Sequence, residues 1–425
     1  MKDRIKWLSV LARDVLSIPL VVLFPRNSKK ILFGAWSGKQ YSCNPKYLFE
    51  YMVKRGGFNC IWIGEEHLRN KVLALKGAKF ARKGTIVSFW HCLTARYYVC
   101  NVQWRSDIAN IPRCRRIHLL YLTHGNPDKR TGDKQFGGDG EIKQIAVKKG
   151  VLRKALAKLL DRLEDFLYGQ QSWCSVNSPQ GKDIRLYCMS FRLSAEKILE
   201  CGTPRADWFI QNADNAALKQ KLRVQFAQEM NLPLDKKWYL FVPTWRHEEK
   251  YLFSFSASSK LGDYEKLLRA QNAILIEKQH PIVLERMKFN TNASSEVYII
   301  DRDRAREINT QELLLACDRL ITDYSSIYYD FVLMNRPVLH FTYDFDHFMN
   351  KDMGFMFDIR DYGGGPFAYT EDELLKFMAQ SDEELLAQRS PRTKTEQLTW
   401  ETGRACEGYY DLIKKLSQQK ECFVK

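Results

Sequence analysis

Short apolar runs alternate with amphipathic stretches along most of the chain. The run "KKILFGAWSG" (29–38) predicts a buried strand that ends in a glycine-containing loop. The next stretch, "NPKYLFEYMVKRG", predicts a helix capped by Asn44, with Pro45 at its first helical position and Gly56 at its end. Because strands that alternate with helices are typical of parallel sheets covered by helices, the sequence predicts an α/β fold.

The second half of the chain repeats this alternation. Strands are predicted in "KWYLFVPTW", "AILIEKQHP", "SEVYIID" and "RLITDYSSIYYD", with helices between them and a final helix near 401–415. At 425 residues the chain is long enough for about two domains. We therefore predict two Rossmann-like domains that face a cleft, the GT-B-type architecture of many glycosyltransferases. The predicted parts are an N-terminal membrane-associating segment (1–28), a basic acceptor and membrane domain (29–200), a donor-binding domain (201–400) and a C-terminal helix (401–425).

Two segments carry a pattern typical of membrane surfaces. The apolar run Val15–Phe24 has ten residues, whereas a helix that crosses a bilayer needs about 20. This segment either lies on an anionic membrane surface, since lysines and arginines flank it, or forms an ordinary first helix packed on the core. A leucine stripe at helical spacing over 152–167, beside five basic residues, leaves the same alternatives of membrane docking and core packing.

Charge is distributed unevenly along the chain. The formal net charge is +16, and residues 1–200 hold 36 Lys and Arg against 16 Asp and Glu. Such a basic half indicates an anionic partner, either nucleic acid or acidic lipid. Because the basic residues are dispersed among predicted helices and form no nucleic-acid module, we predict an anionic membrane surface and no nucleic acid. The eleven cysteines include no C-x-x-C pair, which favours reduced thiols on the cytoplasmic side and no metal site.

The stretch "RLITDYSSIYYD" ends a strand with two hydroxyls. Ser325 and Ser326 stand where the strand gives way to a helix, a place where α/β proteins commonly bind phosphate. Asp330 follows one helical turn later, where a carboxylate could accept hydrogen bonds from ribose or polyol hydroxyls. The alternative is plain helix capping by Asp323 or Ser325, with Asp330 in the first turn.

Polar side chains also follow four other predicted strands or turns. His124 lies in "LTHGNPDK", where an imidazole is suited to act as a general base near pH 7. Arg205 lies in "CGTPRADW", Pro243 and Thr244 in "FVPTWR", and Lys278 and His280 in "IEKQHP". Five such sites in one α/β chain suggest convergence on a single phosphate-bearing ligand.

The residues and the order of these motifs resemble those of the CDP-glycerol glycerophosphotransferase family, which includes teichoic-acid and capsule primases and polymerases. The pieces that carry the resemblance are "GKQYSCNPKYLFEYM", "HGNPDK", "GTPRADW", "PTWR", "KQHP", "DRLITDYSSIYYD" and "NRPVLHFTYD", spread from about Lys30 to Leu375. The "DRLITDYSSIYYD" motif is long and specific, while the others gain their weight from their order.

The resemblance implies a transferase that moves a polyol phosphate from a CDP-activated donor to an acceptor hydroxyl and releases CMP, in teichoic-acid or capsule synthesis. It implies peripheral, monotopic attachment to the cytoplasmic face of the cell membrane. His124 would take the proton from the acceptor hydroxyl, and His280 would steady the leaving CMP. CDP-glycerol or CDP-ribitol would be the donor, and a lipid-linked or polymeric chain the acceptor. The donor-binding residues carried over from the motifs are Gly125, Asn126, Pro127, Arg205, Pro243, Thr244, Lys278, Gln279, Asp323, Ser325, Ser326 and Asp330.

Departures from the family pattern surround the predicted base. The family usually has Trp before the histidine and Thr after the glycine, whereas this chain has Thr123 and Asn126, and Asp128 replaces a common Leu. Because these three substitutions surround the predicted base, they put the identity of the acceptor in question. The chain has no acidic D-x-D pair at these motifs, so we predict no metal or cofactor bound by the protein itself, with any Mg²⁺ carried by the donor pyrophosphate. The alternative function is a nucleotide-sugar-dependent GT-B glycosyltransferase acting on a cell-surface polysaccharide.

Overall fold

The computed structural model describes residues 19–20, 23–109, 116–130, 172–188, 194–246, 248–280, 283–284 and 294–419. The predicted segment Val15–Phe24 lies largely outside these ranges, and the leucine stripe at 152–167 lies wholly outside them. Within the described ranges, no helix has the combination of length and hydrophobicity needed to cross a bilayer.

Two separate parallel β-sheets form the framework. The first has seven strands in the order β3-β2-β1-β4-β5-β6-β7. Its strands are β1 (Asn27–Phe33), β2 (Asn59–Gly64), β3 (Lys79–Arg82), β4 (Ala95–Cys100), β5 (His118–Tyr121), β6 (Ser172–Ser175) and β7 (Ile198–Leu199).

The second sheet has six strands in the order β10-β9-β8-β11-β12-β13. Its strands are β8 (Lys237–Val242), β9 (Ala273–Glu277), β10 (Val297–Ile299), β11 (Arg319–Thr322), β12 (Val338–Phe341) and β13 (Phe367–Ala368). The α/β fold with parallel sheets predicted from the sequence is thus confirmed. The finer predicted domain bounds stay predictions.

Helices connect the strands and cover both sheets. They are α1 (Cys43–Arg55), α2 (Arg69–Leu73), α3 (Ile86–Thr94), α4 (Trp104–Asp107), α5 (Pro179–Cys188), α6 (Pro204–Asn212), α7 (Ala216–Met230), α8 (Leu261–Ala270), α9 (Arg302–Glu307), α10 (Thr310–Ala316), α11 (Ile327–Leu333), α12 (Phe345–Lys351), α13 (Glu371–Met378), α14 (Asp382–Ala387) and α15 (Ala405–Gln418).

Both faces of each sheet are buried, which explains why the strands read as continuous apolar runs. Ile31 and Phe33 of β1 join one hydrophobic cluster, while Leu32 between them joins the cluster on the opposite face. Tyr239 and Leu240 of β8 likewise belong to clusters on opposite faces of the second sheet. Burial of one such large apolar side chain contributes about 1.5–3 kcal/mol, so these clusters fix which way each strand faces.

The last helix returns to the first sheet. Tyr409, Ile413 and Leu416 of α15 are buried in the same cluster as Ile31 and Phe33. The C-terminal helix predicted from the sequence therefore packs on the N-terminal half of the chain, and both ends of the described chain stabilise one sheet.

The start of α1 differs from the prediction. The backbone places Ser42, not Asn44, at the N-cap, so the predicted cap was wrong. Asn44 lies one residue inside the helix and its side chain bonds elsewhere, as described below. The predicted end is confirmed, because Gly56 follows the helix with φ 76°, a backbone conformation that glycine adopts readily.

Candidate active site

Three neighbouring strands of the first sheet end close together. β1, β4 and β5 are adjacent in the sheet, and Trp36, Asn101 and His124 follow their carboxyl ends. The Trp36 N–H donates to Asn101 Oδ1 (3.1 Å), and the Trp36 ring lies 5.1 Å from the His124 ring, centroid to centroid. These contacts bring the predicted base into a small cluster at the carboxyl edge of the sheet.

The His124 imidazole is held in one tautomer. Its Nδ1 lies 3.4 Å from the carbonyl oxygen of Asn101, and a carbonyl only accepts, so Nδ1 carries the proton. Nε2 is then the nitrogen able to accept a proton. Burial of the surrounding pocket, helped by nearby cations such as Arg205, lowers the pKa of His124 below its ordinary value, although the side chain itself is exposed in the cleft. The ring is therefore neutral at pH 7, as a general base must be.

A buried carboxylate gathers the loops that carry this cluster. Asp107 is fully buried, and it accepts from the Ser37 N–H (2.7 Å) and from the N–H groups of Asn101 and Val102 (3.2 and 2.9 Å). Burial raises the pKa of Asp107, although these N–H groups oppose the rise. Asp107 thereby joins the end of β1 to the end of β4, the two segments that touch His124.

Several residues beside the cluster adopt left-handed backbone conformations. Trp36, Ser37, Cys43 and Thr123 have φ values of 49°, 62°, 61° and 50°. Such angles cost a side-chain-bearing residue about 1–3 kcal/mol and concentrate at functional sites. The Asn44 side chain supports one of them, because its Nδ2 donates to the carbonyls of Leu122 and Thr123 (3.0 and 3.1 Å).

Arg205 joins the two sheets. Its backbone N–H donates to Asn44 Oδ1 (2.9 Å), its Nη1 to the His124 carbonyl (2.6 Å), and its Nε to Asp330 Oδ1 (3.0 Å). Burial alone would lower the pKa of Arg205, but Asp330 and Cys43 beside it raise the pKa, so the guanidinium is charged. Burial in turn raises the pKa of Asp330 against the effect of Arg205, and the second oxygen of Asp330 has no hydrogen-bond partner among the described residues.

The histidine turn meets Ser326 directly. A side chain on Gly125 would place its Cβ only 2.8 Å from Ser326 Oγ, so any larger residue here would have to displace the serine hydroxyl. Farther along, Lys129 and Phe355 form an antiparallel bridge, and the Met356 N–H donates to the Asp128 carbonyl (2.9 Å). The turn that carries His124 and the Ser326 hydroxyl thus lie against each other between the two sheets, and we call this place the crevice.

Ser326 does not cap α11. It occupies the N-cap position, but its side chain makes no capping hydrogen bond within the described structure. Asp323 is also occupied elsewhere, since its carboxylate accepts from Thr244 N–H (2.7 Å), Tyr324 N–H (2.5 Å) and Arg246 Nη2 (2.7 Å). The alternative of plain capping by Asp323 or Ser325 is therefore wrong, and the half-buried Ser326 hydroxyl faces Gly125 instead.

Asp323 and Arg246 brace the ends of β8 and β11. Arg246 is 1% exposed and also donates to Asp344 Oδ2 (2.7 Å) and to the Thr244 carbonyl (2.8 Å). Although burial would raise the pKa of Asp323, the Arg246 guanidinium and the Thr244 N–H lower it, so the carboxylate stays ionised. This network fixes the Pro243–Thr244 turn beside Ser325.

Lys278 is the buried cation at the end of the neighbouring strand. β9 pairs with β8, and the Lys278 N–H donates to the Phe241 carbonyl (2.9 Å). The side chain is 8% exposed, and no carboxylate of the described residues lies at ion-pair distance from Nζ. Burial lowers the pKa of Lys278 to about 8. His280, two residues on, is exposed, and burial of its surroundings together with Lys278 lowers its pKa.

The predicted site residues fall into two groups. The first group lies in the histidine turn or at the ends of β8, β9 and β11, and it consists of His124, Gly125, Asn126, Pro127, Pro243, Thr244, Lys278, His280, Ser325 and Ser326. Arg205, Gln279, Asp323 and Asp330 are almost fully buried and bond to protein groups. The side chains of these four residues are thus bonded to other groups of the protein, and their predicted part in donor binding stays a prediction.

Several residues that shape the site were not predicted. Trp36, Asn101, Asp107 and the side-chain role of Asn44 depend on contacts between distant segments, and no local motif marks them. Arg246 differs from these, because its place in "PTWR" at the end of a strand was a predicted signal, although its bonds to Asp323 and Asp344 were not predicted. Among the described residues, no group of three His, Cys, Asp or Glu side chains is arranged to hold a metal ion.

Comparisons with known proteins agree with the motifs. The profile of the family described as CDP-glycerol:poly(glycerophosphate) glycerophosphotransferase matches residues 17–415. The teichoic acid poly(glycerol phosphate) polymerase of Bacillus spizizenii is 27% identical over 389 residues, which cover 88% of this chain and 90% of that protein. The teichoic acid glycerol-phosphate transferase of Staphylococcus aureus is 27% identical over 363 residues, covering 84% of this chain and 85% of that protein.

A solved structure shows the same fold. The wall teichoic acid polymerase TagF superposes with a TM-score of 0.72 at 22% identity, covering 97% of this chain and 98% of that chain. Because the family profile spans nearly the whole chain, the predicted resemblance is confirmed: this protein belongs to the CDP-glycerol:poly(glycerophosphate) glycerophosphotransferase family and is a transferase of that class.

Proposed function

We propose that this enzyme moves glycerol phosphate from CDP-glycerol to a hydroxyl of a lipid-linked or polymeric acceptor during teichoic-acid-type polymer synthesis. The observation that carries the proposal is the shared crevice, in which the His124 turn touches Ser326 through Gly125. The relatives named as teichoic acid polymerases and transferases support the choice of polymer.

His124 would act as the base of the transfer step. The acceptor hydroxyl oxygen attacks the glycerol-bearing phosphorus, the bond from that phosphorus to the CMP oxygen breaks, and the hydroxyl proton passes to Nε2 of His124. The hydrogen bond of Nδ1 to Asn101 and the lowered pKa both leave Nε2 ready to accept a proton. Phosphoryl transfer depends mainly on such positioning and on stabilisation of charge.

The donor pyrophosphate would lie along the ends of β9, β8 and β11. Lys278 supports this placement because a buried ammonium group without an acidic partner is stabilised by an incoming anion. Ser325, Ser326, Thr244 and His280 would add hydrogen bonds, and His280 would steady the leaving CMP. Arg205, Asp323, Asp330 and Gln279 would hold these groups in place from behind. Any Mg²⁺ would be carried by the donor pyrophosphate.

The architecture fits two substrates that meet between sheets. We assign the two sheets to two Rossmann-like domains of the GT-B type, with the donor on the second and the acceptor on the first. The basic first half of the chain supports peripheral attachment to the anionic cytoplasmic face of the cell membrane, where a lipid-linked acceptor would be reached.

A donor panel tests the proposal. Purified enzyme and a lipid-linked glycerol phosphate acceptor are incubated with CDP-glycerol, CDP-ribitol or a UDP-sugar, and released nucleotide and product mass are measured. We expect CMP release from CDP-glycerol with a product heavier by glycerol phosphate units. Release from the UDP-sugar alone would refute the proposal, and preference for CDP-ribitol would replace the donor while keeping the class of reaction.

A further inference from the structure

Helix α3 turns large apolar side chains toward solvent. Ile86 is 88% exposed and Trp90 is 52% exposed, and Val87 and Phe89 between them are also exposed. Leu23, 77% exposed, lies close by, because its neighbour Phe24 packs edge-on against the Trp90 ring at 5.6 Å. We call these five residues, Leu23, Ile86, Val87, Phe89 and Trp90, the docking face.

The docking face is part of a well-formed helix. A capping box between Thr85 and Ser88 fixes the start of α3, and Cys92 and Leu93 on the inner side are buried in the core of the first sheet. The outer side of a surface helix normally carries polar residues. A contiguous apolar patch in that position is typical of a surface that binds another apolar phase.

The surroundings of the docking face are strongly basic. Residues 67–106 contain eight lysines and arginines and no Asp or Glu. At the end of α3, Arg26 Nη1 donates to the Cys92 carbonyl (2.7 Å) and Lys30 Nζ to Thr94 Oγ1 (2.7 Å). Lys79, exposed on the neighbouring edge strand, lies near enough to Lys30 to lower its pKa, after burial as the larger cause.

Helix α3 runs from the carboxyl edge of the first sheet to its amino edge, because it begins after β3 and ends where β4 starts. Its first residues, Ile86 and Val87, therefore lie toward the edge at which His124 follows β5, while Leu23 precedes β1 at the opposite edge. β3 and β5 are four strand positions apart, which corresponds to roughly 19 Å at the usual strand spacing.

We propose that the docking face inserts into the interfacial region of an anionic phospholipid bilayer, with the basic residues around it bound to headgroups. Trp, Phe and Ile on the outer side of the helix are suited to the boundary between headgroups and acyl chains, and stable attachment takes an apolar and a basic signal together. The proposal deepens the membrane attachment proposed above and rests on it. It assigns that attachment to the outer side of α3 and to Leu23.

Vesicle flotation of the full chain without donor tests the proposal. Vesicles of phosphatidylcholine alone are compared with vesicles containing equal parts of phosphatidylglycerol and phosphatidylcholine. The patch variant is Ile86→Glu with Trp90→Glu, and the matched control is Leu234→Glu, an exposed leucine of the second half. We expect the wild type and the control to bind anionic vesicles at least tenfold more tightly than neutral ones, and the patch variant to lose at least tenfold.

Other occupants of the face are separate outcomes that overturn the proposal. The proposal is wrong if the patch variant binds vesicles as well as the wild type does. It is also wrong if light scattering shows a wild-type dimer that becomes a monomer in the patch variant, because a second copy of the chain would then cover the face. A fluorophore on Val87→Cys, compared with wild type treated alike, should shift to the blue only when anionic vesicles are added. A blue shift before vesicles are added would show that residues of this chain cover the face.

The vesicle result is distinguishable from a failure of the proposed chemistry. CMP release from CDP-glycerol with a water-soluble acceptor analogue reports the reaction, and the patch variant should retain it because its substitutions lie outside the crevice. Retained CMP release also shows that the variant folds.

Discussion

Replacing Lys278 with methionine should stabilise the free protein and weaken donor binding at the same time. Lys278 is 8% exposed, no acidic partner is present among the described residues, and burial lowers its pKa from an ordinary 10.5 to about 8. A change of one pKa unit corresponds to about 1.4 kcal/mol, so holding this buried charge in the folded chain costs about 3 kcal/mol near pH 7. Lys278→Met removes that cost and keeps most of the side-chain volume.

The pH dependence has a definite sign. Below about pH 8 both the folded and the unfolded chain keep the Lys278 proton, and the full cost is present. Between pH 8 and 10.5 the folded chain has lost this proton while the unfolded chain keeps it, so stability from this group rises with pH. Wild-type protein should therefore gain stability from Lys278 above pH 8, and Lys278→Met should not.

Urea unfolding at pH 7.0 and 9.5 measures the first effect, and titration with CDP-glycerol measures the second. We expect Lys278→Met to raise the free energy of unfolding at pH 7 by about 1–3 kcal/mol, allowing for local relaxation. We also expect the Kd for CDP-glycerol to rise by roughly 10- to 100-fold, as for the loss of a charged hydrogen bond. Lys266→Met, at an exposed position on α8, should change neither. A variant less stable than wild type that binds CDP-glycerol normally would refute the reasoning.

Three further substitutions test the rest of the site. His124→Gln should lower CMP release by about 10²- to 10⁴-fold with unchanged circular dichroism, and near-normal turnover would exclude the base role. Because burial lowers the pKa of His124, wild-type kcat should fall only at a pH below that at which an ordinary histidine gains its proton. Arg205→Met should destabilise the protein by about 3–5 kcal/mol in urea unfolding, because it leaves Asp330 buried without its cation. Adding Asp330→Leu should recover most of this loss of stability. If stability is not recovered, the unpaired Asp330 carboxylate is not the cause. Asp107→Asn should lower the free energy of unfolding by about 1–3 kcal/mol. It should also lower kcat by a larger factor than it raises the KM for CDP-glycerol, because Asp107 holds the Asn101 backbone that positions His124. Equal changes in kcat and KM would argue against this positioning.

Local patterns predicted the framework well because strands and helices are local. The bounds of β11 coincide with the predicted "RLIT" strand, and the β8 and β9 strands fall where their apolar runs predict. Sheet order was not predictable in the same way, since it depends on which strands pair after long crossovers. The convergence of three neighbouring strand ends on one edge follows from that order.

The site was predicted in outline and corrected in detail. Asn44 has the local sequence of a helix cap, but its side-chain amide donates hydrogen bonds to carbonyls 78 and 79 residues away, and no local pattern reveals these partners. Asp330 has the spacing of a ligand group one turn after Ser326, but the partner that fills its first oxygen lies 125 residues earlier. Asp107 and Asn101 were missed for the same reason, because long-range partners give them their roles.

The backbone pairing of Lys129 with Phe355 ties the histidine turn to the second half of the chain. β5 ties the chain to one sheet up to Tyr121, and from Asp128 to Arg130 the backbone is hydrogen-bonded to the other half through Met356 and Gly354. The short stretch between these anchors, which includes His124 and Gly125, is thus held to one sheet at its start and to the other half of the chain at its end. The imidazole therefore sits on a tethered connection, so the position of the base depends on the backbone of both halves and not on the first sheet alone.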